Sequence, residues 1–378
     1  VLPHKNNVER IKMNLLKMIF LCILFSLLSS QAFSLPRFAV RLSDKCIDCH
    51  YNPTGGVIRN ENGWQYGKNL LGMISPRDKK FTTTPKIGDN ISIGIDYRTQ
   101  FLYSAEKEKT DFQQMSGSIY TNLAITKKIN VLARYDFVNF IWEAYGVAHI
   151  LPNNGYIKAG SFQPNYGLRL DDHTAYTRGG DLFVLFDGGK SKQGLIYTPW
   201  YTEAGMEAGI YISDWAFITA SAGSNLSNRT FSKDPTYTTR VEVSPSIGNV
   251  GLLFGGSYAA AKIPHTSEFY GIFAGGGYHR FSILAEFDRA KNVISKGLTS
   301  NVLMVEAAYV IVLGLEAIVR FDWLDPDINL SKDDLSHVIV GFEWFPYSFI
   351  EIRPQYRFTI ENPNITNDAA VLQFHFWY

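Results

Sequence analysis

From Ile87 onward the chain alternates apolar and polar positions with a period of two, the mark of strands whose two faces meet different environments. Ile91, Ile93, Ile95 and Tyr97 alternate with Ser92, Gly94, Asp96 and Arg98. Val131, Ala133, Tyr135 and Phe137 stand against Asn130, Arg134 and Asp136, and Ile350, Ile352, Tyr356 and Phe358 against Glu351, Arg353, Gln355 and Arg357. A soluble sandwich would bury the apolar set. Three features favour a transmembrane barrel instead. Segments of about ten residues recur between turn clusters such as Leu151-Pro152-Asn153-Asn154-Gly155, Asp187-Gly188-Gly189 and Asn362-Pro363-Asn364. Aromatics gather near segment ends, as Trp142, Trp200, Tyr201, Trp215, Trp323, Trp344, Phe345 and Tyr347, where an interfacial girdle belongs. The last segment carries Ala370, Leu372, Phe374, Phe376 and Tyr378 on one face. About 290 residues at roughly 18 per strand and connection predict an all-β, outer-membrane β-barrel of about 16 antiparallel strands, with 14 to 18 possible. The apolar run Val302 to Val319 is not a helical span, because Glu306 and Glu316 interrupt it at the inward phase.

One segment departs from this rhythm. Lys17 precedes an apolar stretch from Met18 to Leu28, and Ser29, Ser30, Gln31, Ala32, Phe33 and Ser34 follow it. That order predicts a secretory signal peptide cut before Leu35, with residues 1–12 as additional leader. Ile19, Phe20 and Leu21 before Cys22 do not make a lipoprotein cleavage box. The expected organisation is 1–34 leader and signal peptide, 35–85 a short N-terminal segment, and 86–378 the barrel, exported to the Gram-negative outer membrane. Lys+Arg number 36 and Asp+Glu 35; without residues 1–34 they become 32 and 34. No basic surplus remains to bind nucleic acid.

Removal of the leader leaves two cysteines, both in Cys46-Ile47-Asp48-Cys49-His50. C-x-x-C-H is the attachment pattern of c-type haem: two thiols two residues apart add to the two porphyrin vinyl groups, and the adjacent histidine is the proximal ligand. A thioredoxin-type disulfide lacks the βαβ context, and a zinc site lacks a second Cys/His pair. Beyond His50, Asn52-Pro53 and Gly55-Gly56 predict a tight reversal. A carbonyl in that turn, such as that of Pro53, is a candidate acceptor for the second ring N–H. Trp64, Tyr66, Leu70, Leu71 and Met73 are spaced for a short amphipathic helix. Met73, 23 residues past His50, is the first candidate for distal ligand, with helix packing as its alternative role. His375 is the runner-up, since it shares the inward phase with Gln373 on a strand ending at the periplasmic mouth.

A single haem segment followed by a porin-sized barrel resembles the fused monohaem cytochrome-porins, the outer-membrane iron-oxidase family. The specific motif is Cys46 to His50. The resemblance implies one haem c and single-electron passage between an extracellular donor, Fe(II) or another reductant, and a periplasmic cytochrome or other carrier, with outward electron transfer to an extracellular acceptor as the alternative. It also implies contact with outer-membrane lipid and with the barrel assembly machinery, which reads terminal aromatic strands. The stretch from Ala159 to His173 resembles a loop of phosphate-selective porin-like barrels, whose residues Arg169, Asp171, Asp172 and His173, with Arg178, would line a constriction if the loop folds inward and would otherwise be solvated. Two other classes stay open: a passive porin with a disulfide-closed plug, and a haem peroxidase, for which no His/Arg pair follows His50 locally.

Overall fold

A computed structural model of the chain describes residues 36–42, 44–56, 58–76, 84–104, 108–169, 172, 174–178, 201–225, 235–261, 266–293, 295–361 and 368–378. The expected signal peptide lies outside the described residues, as do Asp171, His173, Trp200 and the turn clusters at 187–189 and 362–364.

One sheet of eighteen strands runs through them. Its first half comprises β1 (Lys86–Ile87), β2 (Ile91–Ser104), β3 (Lys109–Thr126), β4 (Ile129–Asp136), β5 (Ile141–Ala148), β6 (Tyr156–Phe162), β7 (Glu203–Ser213), β8 (Ala216–Asn225) and β9 (Thr236–Val243). The second half comprises β10 (Ser246–Ile247), β11 (Val250–Ala261), β12 (Ser267–Tyr278), β13 (Phe281–Lys291), β14 (Thr299–Val312), β15 (Leu315–Asp325), β16 (Leu335–Trp344), β17 (Ile350–Glu361) and β18 (Ala369–Trp377). β1 and β10 are two residues each. The other sixteen close into an antiparallel barrel, β18 pairing with β2 (Gln373 opposite Gln100) and β9 with β11 (Thr239 opposite Tyr258). Closure removes the unpaired edge that a backbone in lipid cannot tolerate.

The wall has the polarity of an outer-membrane barrel. Ile93, Ile95, Ile119, Val319 and Phe376 face outward and are exposed, whereas Asp96, Gln100, Glu286, Asp288, Arg357 and His375 are buried on the inside. Inward charges pair, as Arg134 with Asp136 at 3.4 Å and Arg353 with Glu351 at 2.8 Å. Trp142, Trp215, Trp344 and Tyr347 stand exposed near strand ends; Phe345 is instead buried against Trp377, with ring centroids 6.0 Å apart. Four connections at one end are two residues long, Lys127-Lys128, Asp214-Trp215, His279-Arg280 and Leu313-Gly314, and the others there run to seven at most. Opposite connections run from four residues up to 163–202, which makes the short-turn end periplasmic.

The lumen is occupied from both ends. From the periplasmic side come α1 (Pro36–Leu42), α2 (Cys46–Cys49) and α3 (Glu61–Tyr66), the last continuing into a π-helical turn, Gly67–Leu71. Pro36 suits a first helical turn, where its missing N–H costs nothing. α1 lies on the glycine run of β12, where a Cβ at Gly277 would come within 2.4 Å of the Val40 backbone. Arg37 and Arg41, four residues apart, thereby reach a ladder of carboxylates on three adjacent strands. Arg37 meets Glu306 of β14 at 3.4 Å, Glu316 of β15 at 3.7 Å and Glu343 of β16, and Arg41 meets Glu316 at 2.9 Å. Burial opposes the charge on Arg37, but the three carboxylates outweigh it and raise its pKa.

From the extracellular side the described part of the β6–β7 connection, 163–169, 172 and 174–178, folds inward, as the inward-folding alternative anticipates. The Tyr166 hydroxyl donates to Asp288 Oδ1 at 2.8 Å, Arg178 Nη2 to Glu286 Oε2 at 2.8 Å, and Arg240 Nε to the Gly167 carbonyl at 2.9 Å. Asp172 accepts from Arg320 Nη1 at 2.8 Å. Arg178 and Asp172 therefore fasten the loop to the wall rather than facing an open pore.

Candidate functional site

The geometry of the cysteine segment follows from its spacing. Cys46 and Cys49 begin and end a single helical turn, so both thiols project from one face. His50 closes that turn, its N–H donating to the Cys46 carbonyl at 2.9 Å. A helix end leaves carbonyls without partners, and Asn60 supplies them: its N–H donates to the Cys49 carbonyl at 2.9 Å, and its Nδ2 to those of Ile47 at 3.0 Å and Asp48 at 3.1 Å. Asn60 Oδ1 also accepts from the Gly63 N–H at 3.1 Å, capping α3. Gly63 permits this approach, because a Cβ there would sit 2.2 Å from the Cys49 carbonyl oxygen.

Between the helices, His50 pairs antiparallel with Arg59, and the chain reverses through a turn in which the Gly55 N–H donates to the Asn52 carbonyl at 2.9 Å. Gly55 and Gly56 take φ of +85° and +107°, a left-handed geometry that side-chain-bearing residues rarely adopt. The candidate bond from the His50 ring to the Pro53 carbonyl is not formed: the turn closes on Asn52, and His50 Nδ1 is buried with no hydrogen-bond partner. Burial, then the positive charge of Arg59, pushes the His50 pKa down to about 3 against a smaller opposing effect of the Ile58 backbone, so the imidazole is neutral. Neither Cys46 nor Cys49 is in a disulfide, and burial raises the Cys46 pKa to about 12.

These groups line one lumenal cavity, together with the aromatic rings of Phe38, Tyr66, Tyr145, Phe345 and Trp377. Burial raises the Tyr66 phenol to about 12, so this ring keeps its proton at neutral pH. The structure brings His375 to the same cavity but not Met73. Met73 sits at the periplasmic rim, its N–H donating to the Phe345 carbonyl at 2.9 Å and its Sδ accepting from the Trp344 indole at 3.2 Å. His375 is held between two carboxylates, Nδ1 at 2.7 Å from Glu351 and Nε2 at 2.9 Å from Asp96. Both contacts donate only when the ring is an imidazolium.

Arg59 and Arg169 also line the cavity, and local sequence gave no signal for Arg59. Nor was the ladder that receives Arg37 readable beyond the inward phase of Glu306 and Glu316. Among the described residues no three His, Cys, Asp or Glu side chains converge as they would on a bare metal ion. A covalently attached haem fits the residues better. Two thiols share one turn, a neutral imidazole has a buried nitrogen without a partner, and aromatic rings form part of the wall.

No family model and no curated protein matches the chain. Solved structures do match. The loop L8 deletion mutant of OmpT, an outer membrane protein of Vibrio cholerae, superposes with a TM-score of 0.55 at 10% identity, covering 76% of this chain and 99% of that one. OprB of Pseudomonas putida gives 0.58 at 8% identity, covering 76% and 94%, and Salmonella typhi OmpF gives 0.54 at 11%, covering 76% and 98%. At such identities the likeness establishes the fold, that of porin-like outer-membrane barrels. With its apolar outer band, that fold places the chain in the Gram-negative outer membrane.

Proposed function

We propose that this outer-membrane barrel exchanges single electrons between an extracellular donor, most suitably Fe(II), and a periplasmic carrier such as a soluble cytochrome, with Cys46, Cys49 and His50 holding one haem c. The observation that carries the reading is the convergence of the two thiols and the neutral, buried His50 on one cavity inside the lumen. Bound there, the haem supplies a one-electron ferric/ferrous couple. The chain's own residues do the rest. The barrel wall keeps lipid away, and the Arg37 and Arg41 ion pairs hold the N-terminal segment at the periplasmic mouth. Asn60 and Gly63 fix the turn that carries both cysteines, and the β6–β7 connection covers the cavity from outside, where a dissolved ion arrives more readily than a bulky substrate.

Expression with cytochrome c maturation proteins should give a red protein whose haem survives denaturing gels, with the colour lost in Cys49→Ala. Stopped-flow mixing with Fe(II) should then reduce it, and a soluble cytochrome should reoxidise it. A colourless product would overturn the haem, and a red protein that Fe(II) does not reduce would overturn the donor. The porin-type fold favours a second reading, a solute channel. Planar-bilayer conductance tests it: a steady ion current through the full chain supports the channel, whereas closure by the two lumenal inserts predicts little current.

A further inference from the structure

Charge is not balanced around the cavity. Seven arginines line it, and five of them (Arg37, Arg98, Arg134, Arg320 and Arg353) meet a carboxylate within 3.8 Å. Each of the five lining carboxylates is already engaged by one of those arginines. Among the described residues Arg59 and Arg169 form no ion pair with a carboxylate, although Arg59 feels Asp96 and hydrogen-bonds Tyr120, and each has a buried Nη1 without a hydrogen-bond partner. Two unmatched guanidinium charges in a partly desolvated space are costly unless an anion answers them. Both face the haem-binding turn: the Arg59 backbone pairs with His50, and a Cβ on Gly56 would lie 3.7 Å from Arg169 Nη2.

We propose that Arg59 and Arg169 form a carboxylate clamp that neutralises the two carboxylates of the porphyrin. The inference rests on the haem reading above. Its chemistry is that of the planar guanidinium fork, which matches a carboxylate with two parallel donors. The stoichiometry also agrees, since a haem c carries two carboxylates and the cavity has two unmatched cations. Arg59 belongs to the segment inserted from the periplasmic end and Arg169 to the connection inserted from the extracellular end. The clamp therefore ties the two inserts to one another through the cofactor, so that loading with haem stiffens the β6–β7 connection.

The full chain matured with haem, compared with Arg59→Gln, Arg169→Gln and the two Lys variants, tests this. Attachment through Cys46 and Cys49 should persist in all four, because neither arginine holds the thiols. Resonance Raman bands of the porphyrin carboxylates should shift in both Gln variants. The reduction equilibrium constant should fall by about tenfold per charge removed, the scale of a unit charge acting across the cavity at an effective dielectric constant of ~20, and should return most of the way in the Lys variants. Hydrogen exchange over 163–169 should slow on haem loading in the wild type and not in Arg169→Gln. Haem attached with unchanged Raman bands and unchanged reduction equilibrium in both Gln variants overturns the clamp and leaves the haem reading standing. A wild-type chain that carries no haem overturns that reading, and the clamp with it. Should a Gln variant fail to fold, the Lys variant and the hydrogen-exchange comparison decide: wild-type Raman bands in both Lys variants, with no slowing of exchange in the wild type, overturn the clamp.

Discussion

Replacing Arg37 by Met should loosen the N-terminal lumenal segment from the barrel wall far more than its single position suggests. The guanidinium faces Glu306, Glu316 and Glu343, whose side chains are 11%, 6% and 0% exposed. Removing one partner of a buried ion pair costs about 3–5 kcal/mol, because the charges left behind stay buried. Arg41 still engages Glu316 at 2.9 Å and Arg353 still engages Glu343, so the loss belongs at the lower end, about 3 kcal/mol. At ~1.4 kcal/mol per factor of ten, the undocked population rises about a hundredfold. Neither cysteine is in a disulfide in the unloaded chain, which makes maleimide labelling of Cys46 and Cys49 in micelles a direct report on undocking. The labelling rate should rise about a hundredfold in Arg37→Met and much less in Arg37→Lys. Lys86→Met is the control, since Lys86 and Glu61 form a half-exposed pair at 3.3 Å worth no more than about 1 kcal/mol. A rate in Arg37→Met within threefold of wild type would refute the reasoning and leave Phe38 and Val40 as the anchors.

Docking in the unloaded chain should also depend on pH. His50 has a pKa of about 3 when docked and an ordinary value of 6.5 when released, so the docked state binds fewer protons between these values. Docking is then strongest above pH 6.5 and weakens as pH falls towards 3, and thiol labelling should accelerate over that window in wild type but not in His50→Gln. Gly63→Val must push α3 off α2, given 2.2 Å to the Cys49 carbonyl, and should cut the yield of attached haem severalfold in visible absorbance, with the exposed Asn62→Ala unaffected. Met73→Leu should leave the visible spectrum of the matured protein unchanged, because its sulfur is turned to Trp344 at the rim; a shifted band would return Met73 to the ligand set. Val319→Arg places a charge on the lipid face near the middle of β15 and should cost about 2–4 kcal/mol in urea-dependent folding into lipid vesicles.

What the linear chain determines here is what depends on near neighbours. A strand displays its phase in every second residue, so Ile93 and Ile95 outward with Asp96 inward, the inward Glu306 and Glu316, and the sixteen-strand barrel were all legible. So was the reversal after His50, because Asn52-Pro53 and Gly55-Gly56 act within a few residues. Partners across the lumen were not legible, since nothing local relates Arg37 to Glu343, 306 positions away, or Arg178 to Glu286, 108 away. Proximity in sequence made Met73 the first choice for a second ligand, yet its backbone extends the turn after β16 and carries it to the rim. His375 reached the cavity through barrel closure, which sets β18 beside β2, and closure also placed Asp96 and Glu351 on its two ring nitrogens. The inward course of the β6–β7 connection was open for the same reason. A loop's destination is set by the donors and acceptors waiting on the opposite wall, and only the closed barrel brings Asp288, Glu286 and Arg240 within reach of it.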